Sequence, residues 1–312
     1  MIGTLLGLIL RAIVVLSGAA VVTFVLLWHA PGDPAQAIAM ARYDALLTDE
    51  VIELVREEAG LNAGFWAGFW AWLGPLLTLD FGYSSVTGRP VWPDLRAAVS
   101  YTVPLAFSAL ALGLAMAVPL AIFAARHQGG LLDRCAVGLA SLGAAIPAFW
   151  LGLLLILLFA VHLGWLPAMG ARTPAHAILP AVTLALGVAS ALTRIIRSGI
   201  LEARGQAFLP AFRRRGVPDR ALGRDHVAPH AAIPVVTVLG LELAFLLEGL
   251  VMVEVIFGRP GLGTFLVSAI AARDFPHVQA VVILAALIFV TVNMLIDLVY
   301  AWIDPRIGAR DA

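Results

Sequence analysis

The sequence contains no lysine; all 20 of its basic residues are arginine. A phosphate-binding loop of the G-x-x-x-x-G-K-S/T type needs its lysine on the nucleotide phosphates. The chain therefore holds no ordinary nucleotide-hydrolysing site of its own, and if ATP drives it, a partner binds the ATP. Cysteine is nearly absent as well. Cys135 stands alone, which excludes an intramolecular disulfide and a multi-cysteine metal site. Charge is scarce, at 13% of residues, and the formal net charge is zero. A balanced chain without a basic tail gives nucleic acid no electrostatic footing. Nucleophilic catalysis has no foothold, because Ser84, Ser85, Ser100 and Ser198 lack both a neighbouring His/Asp pattern and a G-x-S-x-G elbow.

Apolar residues dominate instead, at 61% of the chain, against about half in a soluble domain. Apolar segments fall at 12–29, 101–125, 135–163, 177–200, 231–256 and 278–303. Several reach the roughly 20 residues needed to cross a hydrocarbon core. They show no two-residue alternation, so they read as helices, which satisfy their own backbone groups inside a membrane. The expected fold is an all-α integral membrane protein with six transmembrane helices. Residues 1–29 form the first, 30–100 an extracytoplasmic loop subdomain, and 101–312 a five-helix core with a cytoplasmic loop at 201–230. Met1–Leu10 is almost wholly apolar and the run passes Arg11 to reach Trp28 with no small-residue cleavage site. It reads as a retained span rather than a secretory signal.

Arginine placement sets the expected orientation. With both termini cytoplasmic, the inner segments hold Arg11, Arg126, Arg134, Arg306, Arg310 and the eight arginines from Arg194 to Arg224. The short outer segments hold only Arg172, Arg259 and Arg273, while Arg42, Arg56, Arg89 and Arg96 lie in a long segment that the positive-inside rule discounts. Residues 41–95 are expected outside.

The long outer loop opens on Pro31-Gly32-Asp33-Pro34 and continues into an acidic helical stretch with Asp49, Glu50, Glu53, Glu57 and Glu58. Phe65, Trp66, Phe69, Trp70 and Trp72 follow at helical spacing. They read as a subdomain core or as an outer interfacial belt, with direct substrate contact as the alternative. The inner loop carries Glu202, Arg204, Arg213-Arg214-Arg215-Gly216-Val217-Pro218-Asp219-Arg220, Arg224, Asp225 and His226. Its charge fits membrane-lipid head groups. Its arrangement, two short helical stretches around Gly216 and Pro218 leading to Pro234, fits docking in another protein's groove.

These marks, with others along the chain, resemble the dipeptide, oligopeptide and nickel permease family of ABC importers, specifically its first permease subunit. The resemblance covers essentially the whole length. It runs through Pro31-Gly32-Asp33-Pro34, Asp80-Phe81-Gly82, Gly88-Arg89-Pro90-Val91, Ile146-Pro147-Ala148-Phe149-Trp150-Leu151 and Gly164-Trp165-Leu166-Pro167. It continues through Ile178-Leu179-Pro180-Ala181, Arg194-x-x-Arg197-Ser198, Leu239-Gly240 to Glu254 and Pro260-Gly261-Leu262-Gly263. It closes on Arg273-Asp274-Phe275-Pro276, Asp297 and Asp304-Pro305-Arg306-Ile307.

The resemblance implies a type I ABC importer permease in the bacterial inner membrane, working as a heterodimer with a second related permease. Two cytoplasmic ATPases would bind ATP and Mg, an extracytoplasmic binding protein would deliver substrate, and this chain would hold no cofactor and be no enzyme. The inner loop then corresponds to the ATPase-coupling loop, with Ala211, Phe212, Arg213, Arg214, Arg215, Gly216, His226 and Pro234 as its contact and positioning residues. The general Glu-Ala-Ala lead is replaced here by Pro210-Ala211-Phe212, and Pro229-His230 stands where arginine and asparagine are usual. Di- and oligopeptides are the family's commonest cargo. Nickel, metal chelates such as metallophores, opines, glutathione and some sugars use the same fold, and Ala168-Met169-Gly170 resembles the nickel branch.

Glu242, Glu248 and Glu254 stand in the fifth span, each separated from the next by about 120° around the helix. A charged carboxylate at mid-membrane is costly and faces protein or water. Helix–helix hydrogen bonding and lining of the substrate path both remain open for them. Asp297 reads as a structural ion pair or cap. His226 and His230 have a metal-compatible spacing but no third ligand. Pro147 and Pro234 read as hinges or as packing kinks. A secondary transporter powered by ions would need an inverted internal repeat, which the sequence does not show; an intramembrane enzyme would need a catalytic constellation.

Overall fold

A computed structural model describes residues 2–43 and 48–303. The Asp304-Pro305-Arg306-Ile307 run and Arg310 lie outside them. The helices are α1 Ile2–Trp28, α2 Pro34–Tyr43, α3 Asp49–Glu58, α4 Phe65–Leu76, α5 Val91–Arg126, α6 Leu131–Ala145 and α7 Ala148–Leu155. They continue with α8 Ile178–Arg204, α9 Phe208–Arg214, α10 Asp219–Leu222, α11 Ala228–Ile256, α12 Leu262–Ala271 and α13 Phe275–Ile303. Among the described residues, five helices are long and apolar enough to cross a membrane, and six spans result if the bent pair α6–α7 counts as one.

That bent pair departs from the continuous helix expected over 135–163. α6 and α7 meet at 100°. The cause is local. Pro147 supplies no N–H and crowds the residue before it, so Ile146 is extended at φ −83° and ψ 121°. Beyond α7 the chain loosens into a π-helical turn, Ile156–His162. α5 also starts ten residues before the apolar segment expected from 101. Its first turns hold Pro93, whose ring suits a helix start, and Asp94, which suits the positive end of the helix dipole. Those polar residues dilute the apolar run, so the segment looks shorter than the helix.

The chain divides into two compact units. One comprises 103–259 with 292 onward. At its centre lies α8, which buries Leu179, Leu184, Val188, Leu192 and Ile196. Lipid gives helices no hydrophobic reason to associate, so small residues that permit close backbone approach carry the packing. The neighbours of α8 meet it at glycines. A Cβ on Gly113 of α5 would come within 2.8 Å of Val188 Cβ, and one on Gly249 of α11 within 3.1 Å of Leu184 Cδ2. On Gly143 of α6 it would collide with Ser190 Oγ. Gly199 of α8 lies against Ala231 and Pro234 of α11, where a Cβ would come within 3.1 Å of the Ala231 carbonyl oxygen.

The other unit comprises 2–102 and 260–291. Phe24 of α1 is ringed by Phe65, Phe69 and Trp72 of α4 at 5.4, 5.2 and 5.8 Å. Trp66 and Trp70, on the opposite face of α4, are exposed. The aromatic run is thus divided by helical face between packing and surface. α2 and α3 enclose Ala35, Ile38, Ala39 and Val55. Thr48 caps α3 through Val51 N–H, with Asp49 and Glu50 in the first turn complementing the dipole. α12 and α13 pack Leu262, Ala280 and Val281 on Val91, Leu95 and Ala98.

Candidate functional site

The loop between α8 and α11 folds into two short helices on the core. α9 ends at Gly216, which is left-handed at φ 79°. Gly216 N–H donates to Arg213 O at 3.0 Å and Val217 N–H to Phe212 O at 3.2 Å, which satisfies carbonyls that the helix end leaves open. A Cβ at Gly216 would meet nothing within 4 Å, so the backbone angle, and not space, calls for glycine. Leu209, Leu222 and Val227 are buried, and Phe212 packs against the same core cluster. The Phe212 ring stacks on His226, 4.3 Å between centroids at 25°. His226 therefore braces α9 against the π-helical turn Gly223–Val227. His230 donates from Nδ1 to the His226 carbonyl oxygen at 3.0 Å, so the His226/His230 pair is spent on the helix and a stack. Ala211 and Arg213, Arg214 and Arg215 are exposed. The element turns its apolar side to the core and its arginines outward. Pro234 sits at the Gly199 approach, where a Cβ on Gly199 would lie 3.3 Å from its Cγ.

The three acids of α11 occupy three environments. Glu254 is fully enclosed, and its carbonyl oxygen accepts from the N–H of the buried Arg259 at 2.8 Å. Glu242 is half-buried, within electrostatic reach of Arg194 on α8. Glu248 is exposed on the surface of its span. Asp297 is half-buried in α13.

In the other unit, tertiary structure joins motifs far apart in sequence. Arg273, itself left-handed at φ 53°, donates to the Pro31 carbonyl oxygen and crowds Gly32, where a Cβ would lie 2.8 Å from its Nη2. Asp33 accepts from Arg56 at 2.5 Å, which raises the Arg56 pKa through that hydrogen bond. Asp274 accepts from Ser84 Oγ, from Ser85 N–H at 3.1 Å and from His277 Nδ1 at 2.6 Å. Burial alone would push the Asp274 carboxyl up, but the hydrogen bonds from His277 and Ser84 outweigh it and hold it below the ordinary carboxylate range. Nothing in the spacing of Pro31-Gly32-Asp33-Pro34, Ser84 and Arg273-Asp274 announces that they meet.

A family described as "Binding-protein-dependent transport system inner membrane component" matches residues 117–309, and its N-terminal companion matches 1–106. The chain belongs to this family. Relatives of this permease include the glutathione transport system permease protein GsiC of Salmonella typhimurium, 38% identical over 97% of this chain and 96% of that one. The protein of the same name from Escherichia coli is 36% identical over the same shares. Among solved structures, the inward-facing MetNI methionine ABC transporter aligns with a TM-score of 0.57 at 18% identity, over 67% of this chain and 96% of that one. An amino acid ABC transporter with histidines aligns at 0.53 and 21%, over 66% and 92%. These two establish a shared fold. The permease is thus a multi-pass inner-membrane subunit of a bacterial ABC importer of the oligopeptide type, a transport component and not an enzyme. It works with ATPases, which handle the ATP, and with a binding protein; its family carries no cofactor.

Sequence reasoning singled out Arg197 and Asp274 only as family marks and missed their partners, Asp133 and Ser84. A carboxylate at the start of an apolar helix was the one available signal for Asp133, which receives Gly129 N–H at 2.9 Å besides its arginine.

Proposed function

We propose that this permease forms half of a translocation path for small peptides, glutathione among them, delivered by an extracytoplasmic binding protein. The reading is carried by 38% identity over 97% of the chain to permeases named for glutathione transport. A second, related permease completes the path, and one of the two ATPases docks on this chain's coupling element, residues 205–225. Arg213, Arg214 and Arg215 supply its charged outer face, while Gly216, Phe212 and His226 fix its shape. Both termini are cytoplasmic and residues 41–95 extracytoplasmic, from the arginine asymmetry. Glu248 and Glu242 line the path, and the enclosed Glu254 holds the end of α11.

The test is calorimetric screening of the cognate binding protein with di- and tripeptides, glutathione and nickel chelates, followed by uptake in vesicles holding the full transporter. Saturable uptake of a peptide that the binding protein also binds is expected. Binding and uptake confined to nickel or its chelates would replace the peptide reading.

A further inference from the structure

We propose that a cavity at the cytoplasmic end of the core unit seats one anionic phospholipid of the inner leaflet. The proposal rests on the orientation given above. The cavity, about 800 Å³ and open on one side, is lined by the ends of α5 and α8, by α10 and the turn after it, and by the start of α11.

Two helices present the same pattern to it. α5 offers Val118, Ile122 and Arg126, and α8 offers Ile196, Ile200 and Arg204. Residues at i, i+4 and i+8 lie along one helix face. Each helix therefore runs from aliphatic side chains within the span to a guanidinium at its cytoplasmic end. Arg220 and Arg224 complete the rim, Arg224 being paired with its neighbour Asp225 at 2.6 Å, and the lining contains one carboxylate, Asp219. That carboxylate already accepts from Arg213 at 3.2 Å. Arg204 donates to the Ala125 carbonyl oxygen at 2.7 Å, which fixes it at the rim with further donors to spare.

A phosphate diester with attached acyl chains matches this gradient at both ends. Its anionic oxygens suit the guanidinium forks, and its chains suit the aliphatic floor. Basic pockets on the cytoplasmic side of helix bundles recognise anionic head groups in this way. A free phosphate would leave the aliphatic half of the cavity to water. Because Arg220 and Arg224 belong to the loop that carries the coupling element, a seated lipid would brace that element against α5 and α8.

The experiment uses the complete transporter, with both permeases and its ATPases. Native mass spectrometry after extraction should retain phosphatidylglycerol on the wild type. Retention should fall at least fivefold in Arg126→Gln and in Ile122→Trp, which fills the floor without touching a charge. In nanodiscs, substrate-stimulated ATPase activity should rise several-fold when phosphatidylglycerol is added to phosphatidylcholine, and inorganic phosphate should not replace it. Retention unchanged in both variants would overturn the proposal. So would equal stimulation by inorganic phosphate, or a photocrosslinker at residue 122 that captures the second permease and no lipid. Lipid retention is read whichever way the chain is inserted, so an orientation failure would appear separately, in cysteine labelling at residue 213.

Discussion

Arg197 grips Asp133 through two hydrogen bonds, Nε to Oδ1 at 2.5 Å and Nη2 to Oδ2 at 2.6 Å, and so ties α8 to the start of α6. The carboxylate is almost wholly buried. Removing one partner of such a pair strands the other charge with its hydrogen bonds unmade. Arg197→Ala should lower the melting temperature in detergent sharply, and adding Asp133→Leu should recover part of the loss. No drop in the single variant would show that the tie contributes nothing.

Close approach of α5 to α8 predicts a second effect. Gly113→Val should destabilise the core by about 1–3 kcal/mol through overpacking, because Val188 Cβ and Cγ1 both lie within 2.8 Å of the new Cβ. Val188→Ala should relieve only part of it, since alanine keeps the Cβ and the Ala185 carbonyl oxygen lies 3.1 Å away. Fluorescence-monitored unfolding of the single and double variants measures both.

For the coupling element, the left-handed φ of 79° at Gly216 separates two substitutions. Asparagine visits that region with little penalty, whereas a side chain such as leucine is strained there by about 1–2 kcal/mol. Gly216→Leu should assemble in the membrane yet lose substrate-stimulated ATPase activity and uptake, and Gly216→Asn should keep most of both. Full activity of the leucine variant would remove the loop from the transmission path.

Acid sensitivity should arise at Asp274. Its carboxyl is held below its unfolded value, so its contribution to stability is complete above the unfolded pKa of about 3.9 and fades as pH falls through the lower, folded value. Unfolding followed from pH 6 downward should show this loss, and Ser84→Ala, which removes one of the stabilising hydrogen bonds, should raise the folded value towards the unfolded one, so that the loss still begins near the unfolded pKa but is smaller. A Ser84→Ala profile superimposed on the wild type would exclude the mechanism.

Glu248, exposed on its span, should favour cationic cargo if it lines the path. Glu248→Gln keeps size and hydrogen-bonding capacity while removing the charge. Uptake of cationic peptides should fall several-fold and neutral peptides change little. Equal uptake of both by a stably assembled variant would assign Glu248 to helix contacts.

The lipid solvent explains why the spans were legible in the sequence. A segment that crosses hydrocarbon must be apolar for its whole length and must satisfy its own backbone, and both requirements are local. Pro147 was legible as a hinge or kink for the same reason, since a missing N–H acts on its own residues. The 100° angle of that break was not, because the proline interrupts the helix and the surrounding packing sets the direction. Nor were the partners. Arg197 meets Asp133 across 64 residues and Ser84 meets Asp274 across 190, and no periodicity links positions so far apart. The acids of α11 show the same division: the sequence placed Glu242, Glu248 and Glu254 on one helix about 120° apart. Only the neighbours packed around α11 decided which is enclosed and which is exposed, because burial belongs to the contacts and not to the residue.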